Sequence, residues 1–168
     1  MKKIFILMLF FPLLACNSII KNKHSFKEFN CPSVFFSPKD KTYIDKSTSI
    51  DDILFKGQLN NFAVNNLCQQ KENIAIIPLD ILIIAEPMNS FENSQLNFPV
   101  FISLLDNNDK ILETQYFLVS GVMKKNPETN IFVESDITYK LKIVTEYLNT
   151  SQIIVGFMLD DKKRLLLD

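Results

Sequence analysis

The sequence predicts an all-β protein, an immunoglobulin-like antiparallel β-sandwich of about seven or eight strands. Segments in which apolar and polar residues alternate recur after residue 31, and this period of two is that of a strand with one buried face. Turn-forming residues separate these segments, and no long stretch has the spacing of an amphipathic helix. Fifteen phenylalanines against three glycines can fill a core between two sheets. Periodicity alone leaves a β-barrel as the alternative.

The N-terminal segment predicts export and lipid attachment. Two lysines precede an apolar run over residues 4–14, and the small residue Ala15 follows. These features are typical of a secretory signal peptide, and the run is shorter than the roughly 20 residues that span a bilayer. Its end resembles a bacterial lipobox, in which a diacylglyceryl group is attached to the cysteine thiol and cleavage makes that cysteine the new N-terminus. The matching residues are Leu13, Leu14, Ala15 and Cys16.

The lipobox resemblance implies a cleaved signal peptide over residues 1–15 and a protein held on a membrane by the lipid on Cys16. A processed lipoprotein carries several acyl chains, which is enough for stable anchoring. Asn17 stands where an aspartate is the usual signal for inner-membrane retention, so we expect the outer membrane rather than the inner one, with the domain facing the periplasm. An uncleaved anchor, or an ordinary signal with an accidental cysteine, is the alternative.

The rest of the chain predicts one domain on a short tether. Residues 16–30 are polar and basic without a period, and we interpret them as the lipidated N-terminus and its tether; residues 31–168 form the sandwich domain. Loss of Lys2 and Lys3 with the signal leaves 16 of the 18 basic residues against 19 acidic ones, so the net charge moves from -1 to -3. The chain therefore lacks the excess of positive charge that is typical of nucleic-acid-binding proteins, and we predict no nucleic-acid partner.

Three cysteines need an assignment. With Cys16 lipidated, Cys31 and Cys68 are the available intramolecular pair, and exported proteins meet an oxidising compartment in which paired cysteines are expected. We therefore predict a Cys31–Cys68 disulfide; two buried free thiols are the alternative. A zinc site is disfavoured because no two cysteines are closely spaced and the one histidine, His24, lies in the tether. The sequence predicts neither a metal site nor a cofactor site.

The first part of the domain predicts short strands. We interpret the segments CPSVFF and KTYI as extended pieces, and STSIDDI as a turn in which a hydroxyl could cap one helical turn. The next segment, LFKGQLNNFAVNNLC, is predicted to be one strand that ends near Cys68.

The segment over residues 74–85 has the clearest β period. Every second position from Ala75 to Ala85 is apolar, which predicts a long strand with one wholly buried face. Pro78, on its other face, cannot donate a hydrogen bond, so we expect an edge or a bulge there. A second sheet must cover the buried face, which would leave a dry, filled core. The candidate covering residues are Ile137, Tyr139, Leu141, Ile143, Ile153, Val155, Phe157 and Leu159.

The following segments predict a hairpin and a short terminal helix. Apolar residues run to Leu105, polar residues 106–109 form the turn, and the chain returns from Ile111. The turn superficially resembles a calcium loop but lacks the glycine and the distal glutamate of an EF-hand. The last residues, DDKKRLLLD, are predicted to form one helical turn capped by Asp160. We interpret the charged residues 160–164 as a solvated, charge-balanced turn; a patch that docks a partner is the alternative.

From Cys31 to the C-terminus, the order of features resembles a family of uncharacterised envelope lipoproteins of Gram-negative bacteria. The shared landmarks are CPSV, IDDILFKGQLNNFAVNNLC, a long apolar strand ending in AEP, FPVFISLLDNNDKILETQYF, and VGFML. The chain departs from the family after the long strand, where RGP is usual, and after VGFML, where the family has a basic end. These landmarks imply a fold and carry no catalytic motif.

The sequence contains no recognisable catalytic arrangement. Its three glycines, Gly57, Gly121 and Gly156, are far apart, which excludes a nucleophile elbow, a P-loop and a dinucleotide fingerprint. We predict that the protein is not an enzyme. One set of aromatic residues is interpreted as core packing, with the lining of a ligand pocket as the alternative: Phe91, Phe98, Phe101, Tyr116 and Phe117.

These observations predict a lipid-anchored cell-envelope protein that acts as a non-catalytic interaction or accessory subunit in the periplasm, with an envelope protein as its partner. A small-ligand-binding or transporter-auxiliary lipoprotein is the alternative. A ligand binder is expected to enclose an apolar pocket with a few polar groups. An interaction module is expected to expose a sheet edge or an apolar surface patch.

Overall fold

A computed structural model describes residues 26–46, 48–64, 67–88 and 94–167. The predicted lipobox, including Cys16, lies outside these residues, as do Asn17, His24 and Phe91. Ten strands follow one another along the described residues: β1 (Lys27–Phe29), β2 (Ser33–Phe36), β3 (Thr42–Ile44), β4 (Phe55–Ala63), β5 (Cys68–Lys71), β6 (Ile74–Pro87), β7 (Gln95–Leu105), β8 (Ile111–Val122), β9 (Ser135–Thr145) and β10 (Gln152–Phe157). A 3₁₀ turn (Ile50–Asp52) and one α-helix, α1 (Asp161–Leu167), complete the described elements.

The strands form two packed sheets, which confirms the predicted all-β sandwich. In a six-stranded sheet, β1 pairs with β5, β5 with β6, β6 with β4 and β4 with β3, and β9 also pairs with β6. The other sheet has the order β2-β10-β7-β8. The strand count exceeds the predicted seven or eight because β1 and β5 are three and four residues long, too short for a periodic signal. The second sheet is mixed, since β2 pairs with β10 in parallel.

Strand β6 is central in its sheet. Its odd-numbered residues from Ala75 to Ala85 are buried, which confirms the predicted long strand with one apolar face. Strand β9 pairs with it along Ala75–Ala85, whereas on its other side pairing with β5 ends at Ile76 and pairing with β4 begins at Asp80. Pro78 therefore lies in a stretch that neither β4 nor β5 pairs, so the missing N–H coincides with an opening beside a central strand rather than with a sheet edge.

Two segments, over residues 137–143 and 153–159, are predicted to cover the buried face of β6, and the prediction is wrong for the first of them. Ile143, Leu141, Tyr139 and Ile137 lie in β9, which is the neighbour of β6 in the same sheet and extends its buried face. The side chains that cover this face come from β10 and β7. They are Ile153, Val155 and Phe157 of β10, as predicted, with Leu96, Phe98, Val100, Ile102 and Leu104 of β7. Leu159 packs against this cluster beyond the end of β10.

Aromatic rings fill one part of the core. The rings of Tyr43, Phe55 and Phe157 surround that of Phe98 at centroid distances between 5.6 and 5.7 Å. Phe98 is thus a core residue, in agreement with the packing interpretation of the predicted aromatic set. The other described residues of the predicted aromatic set differ in burial: Phe117 is partly buried against the core, whereas Phe101 is only half-buried and Tyr116 is exposed.

The predicted disulfide is present. Cys31 and Cys68 are bonded, and their Cα atoms lie 5.2 Å apart. Cys68 opens β5 instead of ending the preceding strand, because β4 stops at Ala63. Residues 27–29, which precede the predicted start of the domain at residue 31, form β1 and pair with β5, with Phe29 opposite Cys68. The disulfide explains this pairing, since it holds the chain just after β1 against the first residue of β5.

The two predicted polar turns form as expected. Asp106 Oδ1 accepts backbone hydrogen bonds from Asn108 (2.8 Å) and Lys110 (3.0 Å), and Asp109 has a φ of 59°. These contacts confirm the hairpin turn between β7 and β8. At the C-terminus, Asp160 Oδ1 accepts the backbone N–H of Lys163 at 2.7 Å, which confirms the cap of α1. None of the described helices is long and apolar enough to cross a membrane.

Candidate functional site

The two sheets end side by side at β8 and β9. Strand β8 is the last strand of its sheet and β9 pairs with β6 alone, so both are edge strands in the described fold. Their facing sides are packed together: a Cβ at Gly121 would lie only 2.6 Å from Cδ1 of Ile137. Gln115 Nε2 donates to the carbonyl oxygen of Val144 at 2.9 Å, and Thr145 Oγ1 donates to Glu113 Oε2 at 2.6 Å. The inward side of β8 is therefore occupied.

The outward side of β8 is apolar and uncovered. Tyr116, Leu118 and Val122 are 65%, 61% and 59% exposed, and Ser120 lies between the last two. No charged residue occurs between Thr114 and Val122. We call Tyr116, Leu118, Ser120 and Val122 the β8 edge surface. Exposed apolar side chains in a row along one strand are unlike the scattered single ones that ordinary surfaces carry.

The backbone N–H and C=O groups of the β8 edge surface lie along the free edge of the strand. The backbone N–H of Met123 donates to the carbonyl oxygen of Ser94 at 2.7 Å. From Val122 to Glu113, the pairing of β8 with β7 then continues without a register shift. In an antiparallel pair, the residues that bond to the neighbouring strand alternate with residues whose N–H and C=O point away from it. The backbone groups of the β8 edge surface consequently point away from β7, toward the side on which no described strand is paired.

Strand β9 is protected in the way that edge strands usually are. Its outward residues include Asp136, Lys140 and Lys142, all exposed. Charged side chains, lysine above all, discourage the addition of another strand. Gln115 also engages one carbonyl of this strand, that of Val144. Among the described edge strands, β1, β2 and β3 have three, four and three residues, so β8, with twelve, is the long unprotected edge.

The predicted charged patch at the C-terminus is partly used to hold α1 in place. Arg164 Nη2 donates to Asp40 Oδ1 at 3.0 Å. Lys163 Nζ lies 4.3 Å from the centre of the Tyr43 ring and donates to its hydroxyl at 3.1 Å. These contacts tie the helix to the loop before β3 and to β3 itself, so only part of the patch remains open to a partner.

Pockets among the described residues lie on the surface. One depression of about 510 Å³ lies beside Pro78 and is lined also by Glu28, Leu67, Gln69 and Lys142. Apart from Leu67, its described lining comes from β1, β5, β6 and β9, so it lies on the six-stranded sheet and not between the two sheets. The predicted edge near Pro78 is thus an open depression on a central strand, and the long edge is β8.

The described residues offer no assembled reactive centre. No group of three or more His, Cys, Asp or Glu residues among them could hold a metal ion. Hydrogen bonds from the hydroxyls of Thr48 (2.8 Å) and Ser49 (2.9 Å) lower the pKa of Asp52, which lies exposed in the 3₁₀ turn. This carboxylate closes a local turn. The predicted backbone cap does not form, because the Thr48 and Ser49 hydroxyls donate to the Asp52 side chain instead.

No protein-family model, no curated protein and no solved structure matches this chain.

Proposed function

We propose that this chain is a lipid-anchored protein of the cell envelope that acts in the periplasm as a non-catalytic interaction or accessory subunit. The β8 edge surface carries the proposal, because it combines exposed apolar side chains with outward-pointing backbone groups on a twelve-residue strand. The Cys31–Cys68 disulfide supports an oxidising compartment. The residues around Cys16 support lipid attachment, since they match a lipobox.

The partner that fits this surface is an extended segment of another envelope protein. Such a segment adds as a further strand, and its backbone bonds to the N–H and C=O groups of the β8 edge surface. Apolar side chains at every second position of the segment would lie beside Tyr116, Leu118 and Val122, because side chains on one face of a sheet repeat every two residues. Main-chain bonds provide affinity in this mode of binding, and the side chains provide specificity.

The alternative function, binding of a small ligand, has weaker support. Ligand pockets are usually enclosed and largely apolar. The opposing faces of β6 and of β7 with β10 are filled by buried side chains. The depression beside Pro78 is large enough for a ligand but lies open on the outside of a sheet.

Site-specific photo-cross-linking tests the proposal. A photoreactive residue replaces Leu118 in the full-length protein in native membranes, and a matched variant carries it at Lys140 on the charged β9 edge. We expect an adduct with one envelope protein at position 118, and its loss when Tyr116→Lys is added, since a charge on the edge opposes strand addition. Equal labelling at both positions, an adduct that survives Tyr116→Lys, or an adduct of two copies of this chain would overturn the proposal.

A further inference from the structure

A second surface feature is independent of the β8 edge surface. A depression of about 550 Å³ lies between the loop before β3, strand β4 and α1. Four basic side chains line it together with Thr42, and the described residues that line it include no acid. The four are Lys39, Lys41, Lys56 and Arg164. We call this feature the basic depression.

One of the four basic groups is fixed in position. Arg164 donates one N–H to Asp40 Oδ1 at 3.0 Å, and the other oxygen of Asp40 accepts the hydroxyl of Ser37 at 2.7 Å. Both oxygens of Asp40 are thus used, and its side chain is 13% exposed, whereas that of Arg164 is 49% exposed. A guanidinium has further N–H donors in a rigid plane, so Arg164 is held by Asp40 while it still has donors for an anion.

The loop that carries Lys39 and Lys41 is anchored to both sheets. The backbone N–H of Ser37 donates to the carbonyl oxygen of Val155 at 2.8 Å, and the backbone N–H of Phe157 donates to the carbonyl oxygen of Asp40 at 2.7 Å. Leu59 of the six-stranded sheet donates to the carbonyl of Lys41 at 2.9 Å. A binding site positioned by such a frame loses little conformational entropy when an anion binds.

The lysines of the basic depression lack an acidic partner among the described residues. In the part of the chain that the structure describes, no carboxylate forms a salt bridge with Lys39, Lys41 or Lys56. Glu86 is the cross-strand neighbour of Lys56 in the register but does not belong to the described lining. The whole chain has a net charge of -1, so this positive charge is local and not a general property of the surface.

We propose that the basic depression binds a phosphate group, carried either by a free phosphate compound or by a phospholipid headgroup. Arginine pairs with phosphate oxygens through two parallel N–H donors, and lysines contribute charge from several directions. Thr42 also lines the depression, and a threonine hydroxyl can serve as a neutral donor.

Binding of two soluble probes to the full-length chain in detergent tests this proposal and distinguishes the two sources. Inorganic phosphate represents the free anion, and glycerophosphoglycerol represents the headgroup of an anionic phospholipid. Calorimetric titration at constant ionic strength is performed on the wild type, on Lys41→Glu and Lys56→Glu, and on Lys140→Glu. The last variant is the matched control, because it makes the same charge change on β9, away from the depression. Thermal unfolding checks that all variants fold.

We expect saturable binding of at least one probe, weakened about tenfold or more in Lys41→Glu and in Lys56→Glu and unchanged in Lys140→Glu. Binding of inorganic phosphate alone identifies a free phosphate compound, and binding of glycerophosphoglycerol alone identifies a headgroup; either result supports the site. Absence of saturable binding for both probes, or equal weakening in Lys140→Glu, overturns the proposal. Neither result depends on a partner at the β8 edge surface.

Discussion

Removal of the Cys31–Cys68 disulfide is expected to lower the free energy of unfolding by about 4 kcal/mol. The two cysteines are 37 residues apart, and the loop that they close contains β2, β3 and β4. Strand β2 belongs to one sheet and the other two belong to the opposite sheet, so the closed loop contains strands of both sheets. In the chain-entropy model, cross-linking a loop of this length lowers the conformational entropy of the unfolded chain and raises its free energy by about 4 kcal/mol. That is a large share of the roughly 5–15 kcal/mol that stabilises a typical domain.

The assay is urea unfolding of the oxidised protein, of the same protein under reducing conditions, and of the double variant Cys31→Ala with Cys68→Ala. Cys68 is fully buried, so the variant also removes a packed sulfur, and the reduced wild type separates this effect from loss of the cross-link. We expect a similar loss in both cases and a fall in Tm of about 10–15 °C. A loss below about 1 kcal/mol in the reduced wild type would refute the reasoning, because the loop-closure term would then be absent.

Three further outcomes are expected. Cys16→Ser should release the domain from membranes or leave an unprocessed precursor; cleavage after Ala15 with retention in the membrane fraction would show that the lipobox interpretation is wrong. Gly57→Ala should cost about 1–3 kcal/mol in urea unfolding, because the new Cβ overlaps the buried ring of Phe98, and a neutral result would contradict the packing of this cluster. Asp52→Asn should weaken the dependence of stability on acid. Hydrogen bonds lower the pKa of Asp52 in the folded state, so its carboxylate stabilises the fold at pH values above the ordinary carboxyl pKa. This stabilisation is lost as the pH falls through the pKa of the folded state. Urea midpoints at about pH 6 and about pH 3 measure this, and equal acid dependence in both proteins would contradict it.

Alternation along single segments predicted the strands well but not their placement. Ile137, Leu141 and Ile143 alternate as regularly as the apolar residues of β10, yet β9 is a neighbour of β6 and β10 lies in the opposite sheet. A period of two shows that one face is buried without showing which strand pairs beside it. Sheet order depends on long-range packing, which no local pattern records.

The β8 edge surface had a signal in the sequence whose meaning required the sheet order. The run from Tyr116 to Val119 is apolar at every position, which indicates a strand that is apolar on both faces. Such a run is typical of a strand covered on both sides, and here the outward half is exposed because no described element packs over it. The position of β8 at the end of its sheet leaves its backbone edge free as well. The basic depression likewise joins Lys41, Lys56 and Arg164 from distant parts of the chain, so only the folded structure brings them together.

The most direct test of the proposed function compares Ser120→Pro with Ser120→Ala in the photo-cross-linking experiment at Leu118. The Ser120 N–H points away from β7, so proline removes a donor for an added strand without removing a bond between β7 and β8. Alanine keeps this N–H but loses the hydroxyl bond to Asn97 (2.8 Å), and therefore controls for that contact. Strand addition at β8 predicts that the partner adduct is lost in Ser120→Pro and retained in Ser120→Ala. An adduct of equal yield in the two variants would contradict it.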